Sequence, residues 1–588
     1  MENLLDNCGE GIYENTFLPV VDKTQWDEGN LIKSPTSLKK IVTHHLSCIA
    51  NVIGYVVLAP VCITIDLLNA VASKFYSKRD VKAFKEVPVE QLVLPKDYGF
   101  ADSHYQTMGL GTKYSPVELE GKCDWDDYLT RQYIKGAKTQ EDFSNFFTDI
   151  LTNPDSFIQL LKESGATAYR FSIERSVIEP EEGEINREAI NLYKTFVHKL
   201  KEAGIEPYMT LCHFVHPNWF LEKGAFEKEE NISNFVDYSI FIMKEFKNVK
   251  NIMTFNEMGV DVVQKYVLGA YPPMLKNQFA LAGTVMKNMI ITHCEVYRRA
   301  KEDVELKNTN VTYTHQYLKF KALDGGLIEK IVAYFFTNLF NNAIYNFFLT
   351  GVFKYKVPFS TNIEFSVSET LLKKYDRFMD FVGVQFYGFP RLKVGANGGK
   401  AYPGLDVTNI NLGKIGFTFG STCKESEDSA VMRFGIGFHP NSIREDYEEV
   451  FADALKLCKP VDWKGGDPIT KKIAITETGR DASVQKWGEE KGFRSTEISI
   501  EQGDILQRQG FYEILQVLHE YKDHLQAFLP WTIFRHHIEW ENGKEPCLGL
   551  IDPIKDEKRN LINWKMSYAA KLISEVYLNQ ISSRRQAV

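Results

Sequence analysis

Nine cysteines are scattered along the chain without a single C-x-x-C pair. An odd count with no paired spacing excludes a zinc ribbon and argues against a disulfide framework, so the thiols are expected to be reduced. Positive charge is not in excess either. Lys and Arg number 69 against 77 Asp and Glu, a formal net charge of −8, whereas a nucleic-acid partner would require a basic face. Gly109-Leu110-Gly111 follows the first apolar run, but no third glycine completes a phosphate-binding fingerprint. That counts against a doubly wound nucleotide-binding sheet. Internal repeats and low-complexity linkers are also missing. Disorder is excluded by composition: 44% of the residues are hydrophobic, enough for a large core. Aromatic residues reach 13%. Sugar sites use aromatic platforms, but most of the 40 Phe are expected in the core.

Two regions differ in character. Residues 1–92 read as an extension, and residues 93–588 as one catalytic unit. Within the extension the 20 residues Leu46–Ile65 carry no formal charge, and the apolar character continues to about residue 72. Such a run suits a bilayer crossing, although it holds Asn51, Gly54 and Pro60. Three readings stay open for 46–72: a membrane anchor or hairpin, an interfacial helix, and a helix packed on the catalytic unit. Lys33, Lys39 and Lys40 precede the run, and Lys74, Lys78, Arg79, Lys82 and Lys85 follow it. This favours membrane association with a cytoplasmic catalytic unit. Oligomeric state is not legible.

From Tyr98 onward, short apolar runs alternate with helical stretches. Strands are predicted at Tyr98–Tyr105, Ala166–Ile173, Glu206–His213, Asn251–Asn256, Asn310–His315, Phe381–Tyr387, Lys472–Glu477 and Leu525–Phe534. Helices are predicted at Arg187–Ala203 and Ile232–Phe246. Eightfold alternation over more than 400 residues predicts an α/β fold, a (β/α)8 barrel. The active site of such a barrel lies at the C-terminal ends of its strands. Those ends carry Gln106, Arg170, His213, Asn256, Glu257, Tyr387 and Glu477, with Glu539 beyond the last. Any one of them alone would read as a salt-bridge or capping residue. Two carboxylates, Glu257 and Glu477, at strand ends of one barrel are the equipment for cleaving a glycosidic bond.

The ordered set of motifs resembles glycoside hydrolase family 1, the retaining β-glycosidases, from about Tyr98 to Tyr577. Tyr98-Gly-Phe-Ala-Asp-Ser-His-Tyr-Gln106 is similar to the family's opening strand, with Gln106 as a sugar ligand. Ala168-Tyr-Arg-Phe-Ser-Ile173 places Arg170 beside the nucleophile, and Pro207-Tyr-Met-Thr-Leu-Cys-His213 supplies His213 as a sugar ligand. Thr254-Phe-Asn-Glu257 resembles the acid/base motif and Ile475-Thr-Glu477 the nucleophile motif. Asp380-Phe-Val-Gly-Val-Gln-Phe-Tyr387 ends on the Tyr that hydrogen-bonds the nucleophile. Trp531, Glu539 and Trp540 resemble the floor tryptophan and the sugar-hydroxyl clamp.

Several positions depart from the pattern. Met258 follows Asn256-Glu257, Thr478 follows Glu477, Gln385-Phe386 precedes Tyr387, and Phe214 stands where the family has Trp. A usual Trp after the second strand is replaced near Glu174-Arg175, and the stretch from Trp531 to Glu539 is one residue longer. Neither carboxylate is lost. The resemblance implies a double displacement without cofactor or metal. Glu477 would be the nucleophile, and Glu257 the acid with a pKa raised by burial and by Glu477. Asn256 would bind the 2-hydroxyl, Trp531 would stack on the sugar, and Glu539 would hold the 4- and 6-hydroxyls. Trp540-Glu541-Asn542-Gly543-Lys544 favours a neutral glucoside or galactoside over a 6-phosphosugar. Two alternatives accompany hydrolysis: transfer of the sugar to a lipid or other acceptor, and sugar binding without turnover.

Overall fold

The computed structural model describes residues 25–27, 30–32, 86–110, 119, 122–126, 147, 149–269, 271–322, 327–357, 361–389, 391–394, 410–411, 416–420, 440–462, 468–480, 500–535 and 548–586. The apolar run Leu46–Ile65 lies outside them. Among the described residues no helix is long and apolar enough to cross a membrane.

Nine parallel strands form the central sheet: β1 (Asp97–Ala101), β2 (Ala168–Ser172), β3 (Glu206–Thr210), β4 (Asn251–Met253), β5 (Asn310–Thr312), β6 (Thr314–Gln316), β7 (Val382–Gln385), β8 (Ile473–Glu477) and β9 (Leu525–Phe528). In space the order is β5-β4-β3-β2-β1-β9-β8-β7-β6. The terminal strands β5 and β6 are consecutive in the chain, separated only by Tyr313, so the sheet closes on itself. Eight barrel positions result, as the alternation predicts, with one of them split in two. The predicted strand Asn310–His315 is therefore broken at Tyr313: its first half pairs with β4 and its second with β7. Gly383 on β7 makes room there, because a Cβ at that position would lie 2.6 Å from the Tyr313 carbonyl oxygen. On the far side Ala101 bridges Trp531 in parallel, and the Ala101 N–H donates to the Pro530 carbonyl at 2.9 Å.

Helices wrap the barrel. The predicted 187–203 and 232–246 are observed as Arg187–Glu202 and Ile232–Glu245. The first of these, together with Asp155–Glu163, packs on the outside of β2. Its local origin is plain. Asn186 caps it by accepting from the Ala189 N–H at 3.1 Å. Ile190, Tyr193, Phe196, Val197 and Leu200 then recur at helical spacing and are buried.

Strand β2 shows how the same chain builds core and site at once. Side chains alternate across a strand. Tyr169 and Phe171 point outward, onto Phe157 and Phe196 of the two helices, with ring centroids 5.2–6.1 Å apart. Arg170 between them therefore points inward and is fully buried in the barrel. The core reading of the phenylalanines holds widely among the described residues, where Phe147, Phe157, Phe196, Phe235, Phe340 and Phe348 are all buried. Cys123, Cys212, Cys294 and Cys458, the described cysteines, are free thiols.

The packed chain also starts earlier than residue 93. Leu92 and Leu94 are buried. The Val87 N–H donates to Gln516 at 2.8 Å, and the Leu94 N–H donates to Gln580 at 3.0 Å.

Candidate active site

At the C-terminal mouth of the barrel, the guanidinium of Arg170 is the hub. Its Nη1 donates to Glu477 Oε1 at the end of β8 and also to the Thr476 carbonyl at 3.1 Å. Its Nη2 donates to Asn256 Oδ1 at 2.5 Å, and its Nε to Thr210 Oγ1 at 3.1 Å. One planar fork thus ties β2 to β3, to β8 and to the chain after β4. Both members of the Arg170–Glu477 ion pair are buried. Such a pair holds position by mutual dependence, since either charge alone would be costly to keep from water.

Glu477 has a second donor. The Tyr387 hydroxyl reaches its Oε2 at 2.7 Å. With Arg170 on one oxygen and Tyr387 on the other, the ionised carboxylate is the favoured form. Gly479 two residues on lets the chain after β9 close over this corner: a Cβ there would lie 2.6 Å from the Trp531 carbonyl oxygen. The Trp531 N–H donates to the Thr478 carbonyl at 2.8 Å.

Asn256 is held by three donors to one oxygen, from Arg170, Gln385 Nε2 at 2.8 Å and Thr314 Oγ1 at 3.2 Å. Its Oδ1 is thereby assigned, which leaves the Nδ2 amide as the group free to donate. That nitrogen is buried without a protein partner. Gln385 gains its reach from a register shift in β7 between Val384 and Gln385, which sets it opposite Glu477.

Glu257 follows at once, with φ +39° and ψ 60°, a left-handed conformation that few non-glycine residues adopt. Its N–H donates to the Thr314 carbonyl at 3.2 Å, and its residue starts the helix Met258–Val262. The carboxyl is nearly buried. Gln316 at the end of β6 faces it: with the amide nitrogen turned to the carboxyl, as the donor pattern requires, the two oxygens lie at 3.0 and 3.1 Å.

His213 and Trp531 stack with ring centroids 5.5 Å apart and planes 26° apart, both nearly buried. Gln106 is buried as well, but on a short helix, His104–Met108, and not on a strand as the predicted Tyr98–Tyr105 implies. Glu539 and Trp540 lie outside the described residues. The structure therefore brings Arg170, Asn256, Tyr387 and Glu477 into one hydrogen-bonded network and places Glu257 beside it.

Two members were missed from the sequence. Gln385 entered only as a motif departure, and Gln316 not at all. Period-two alternation could have found Gln316. Thr312, Thr314 and Gln316 share the inward face, whereas His315, the predicted strand end, points out among Tyr313 and Tyr317 and accepts or donates with Asn341 at 3.2 Å.

Comparison with known proteins gives the same picture from outside. The family model for glycosyl hydrolase family 1 matches residues 94–393. A curated 6-phospho-beta-galactosidase of Staphylococcus epidermidis is 31% identical over 213 residues, 36% of this chain and 43% of that protein. The chain thus spans less than half the length of that relative. Among solved structures, a beta-glycosidase from Pyrococcus horikoshii superposes with a TM-score of 0.58 at 20% identity, covering 84% of this chain and 94% of the other. A beta-glucosidase from the fungus Humicola insolens in complex with glucose gives 0.61 at 19%, covering 83% and 98%. An aphid myrosinase gives 0.61 at 16%, covering 84% and 99%. At these identities the superpositions establish the shared barrel.

Proposed function

The chain belongs to glycosyl hydrolase family 1, and from that premise we propose that it hydrolyses O-β-glycosides with retention of configuration, Glu477 being the nucleophile and Glu257 the acid/base. The observation that carries this reading is the Arg170 fork, which binds Glu477 with one nitrogen and Asn256 with another. A nucleophilic carboxylate must be ionised and aimed, and Arg170 with Tyr387 does both. Asn256, its oxygen occupied, presents its Nδ2 to a sugar 2-hydroxyl, next to the residue that must reach the glycosidic oxygen.

The steps follow from these groups. Glu477 attacks the anomeric carbon while Glu257 gives its proton to the departing oxygen. The covalent glycosyl ester is then hydrolysed by water that Glu257 deprotonates. His213, Trp531 and Gln106 bind the sugar; Glu539 and Trp540 complete that set. The substrate is a neutral glucoside or galactoside, because Trp540-Glu541-Asn542-Gly543-Lys544 offers a single Lys and not the Lys/Tyr pair of the phosphosugar branch.

The test is the configuration of the first-formed sugar. With 4-nitrophenyl β-glucoside, β-galactoside and their 6-phosphates as substrates, early proton NMR spectra are expected to show the β-anomer from a neutral substrate. The α-anomer would mean inversion and carboxyls about 6.5–9.5 Å apart. Turnover of the phosphosugars alone would overturn the substrate assignment.

A further inference from the structure

A buried charge cluster lies one layer behind the sugar-binding residues. The helix that starts at Glu257 carries Asp261 one turn later, and the Asp261 N–H donates to the Glu257 carbonyl at 3.0 Å. The next turn, Val263–Val267, is a π-helix, a local widening that re-aims the side chains it carries and recurs at functional sites. Its Lys265 is buried. The ammonium meets Asp261 Oδ1 at 2.9 Å and donates to the carbonyl of Phe214 at 2.8 Å. The backbone of this turn is pinned from the other side, where the Leu275 N–H donates to the Lys265 carbonyl at 3.0 Å and the Gln278 N–H to that of Tyr266 at 2.8 Å.

Phe214 is the residue after His213, and its φ is +70°. A bulky residue holds that left-handed conformation only where surrounding contacts impose it. Two contacts converge on its carbonyl: Lys265, and Trp125 Nε1 at 3.3 Å. The segment carrying Trp125 is itself fixed to the far side of the same turn. The Asp124 N–H donates to the His216 carbonyl, and the His216 N–H donates to Asp124 Oδ1, each at 3.0 Å. Burial opposes the charge on Lys265, but Asp261 and Asp124 outweigh it and keep the ammonium protonated.

We propose that Lys265, paired with Asp261, is a positioning residue: it braces the His213–Phe214 turn against the helix of Glu257, so that the sugar ligand and the acid keep one fixed separation. This rests on the reading of His213 as a sugar ligand. A surface role is ruled out by burial. A purely stabilising pair would have no reason to spend its ammonium on the carbonyl of the one strained residue beside His213.

Lys265→Met alone leaves the Asp261 carboxylate buried without its cation and is prone to misfold. The informative variant is therefore Lys265→Met with Asp261→Asn, measured in the full chain with and without His213→Ala, on 4-nitrophenyl β-glucoside and β-galactoside. With His213 present, the paired change is expected to lower kcat/KM by about tenfold or more, as misplacement of a binding group does. With His213→Ala it is expected to lower it less than twofold, since a brace has nothing left to position. Equal losses in both backgrounds, no loss in either, or a paired variant that cannot be obtained folded would overturn the proposal in favour of a general stabilising role. If His213→Ala itself leaves kcat/KM unchanged, the sugar-ligand reading fails instead. The brace is then judged by a crystal structure of the paired variant: residue 214 leaving the left-handed region supports it, and an unchanged turn overturns it.

Discussion

At the scale of single residues the two carboxylates are separable by chemistry. Glu477→Ala is expected to abolish turnover, and azide or formate to restore it with inverted product, because a small anion can enter from the face the carboxylate vacates. Glu257→Ala is expected to spare aryl glycosides with very good leaving groups and to lose alkyl glycosides by 10²-fold or more, the usual worth of general acid catalysis. Wild-type rates on an alkyl glucoside in both variants would contradict the assignment. Gln316 gives a subtler test. A donor to a carboxylate favours its charged form, so Gln316→Ala is expected to raise the acid's pKa and move the alkaline limb of the kcat/KM profile to higher pH; a limb that stays put or moves down contradicts the contact with Glu257. Burial also pushes Asp124 up to about 7, partly offset by Lys265. A carboxyl raised in the folded state holds a proton that the unfolded chain releases. Its contribution to stability is therefore fullest below the ordinary Asp value near 4 and declines as pH rises to about 7. Asp124→Asn is expected to shrink the fall in melting temperature between pH 5 and pH 8, read by calorimetry at both pH values.

At the scale of elements, legibility followed periodicity. The strand ends announced Arg170, His213, Glu257 and Glu477 because each apolar run stops at a polar residue, and barrel topology then decides where those residues meet. Gln106 was found, but its element was mistaken: Asp102 and Ser103 interrupt the apolar run, and a short helix takes over at His104. Gln316 was lost because Asn310–His315 was read as unbroken. The break at Tyr313 depends on which neighbours each half finds, which no local pattern encodes. Asp261 and Lys265, one turn apart, read on a helix as an ordinary solvated pair. Only their tertiary partners, the Phe214 carbonyl and Asp124, make them an interior feature. The helix Arg187–Glu202, by contrast, was legible to within a residue from its cap and stripe. Asn186→Ala is expected to cost about 1 kcal/mol in denaturant unfolding without altering kcat/KM, as loss of one capping acceptor does; no change in stability would place the start of that helix elsewhere.

At the scale of the whole molecule, the ordered unit reaches back to Val87, whose carbonyl also accepts from Tyr512 at 3.2 Å and from Gln516 at 2.7 Å. A chain starting at residue 86 is expected to keep wild-type turnover, whereas one starting at 97 exposes the sites filled by Leu92 and Leu94 and is expected to melt several degrees lower. Equal melting of the two would show that the 87–94 segment contributes nothing. Ring closure has a consequence for how the protein is made. The Ala101–Pro530 hydrogen bond joins positions that leave the ribosome some 430 residues apart. At synthesis rates of about 5–20 residues per second, β1 emerges roughly 20–90 s before the strand that completes the circle. For that interval the growing chain presents the unsatisfied edge of a nearly finished sheet, a template for pairing with any other nascent copy. Its yield in a cell is therefore set by whatever shields that edge during translation, and a slowed ribosome late in the message would harm this protein more than an early pause.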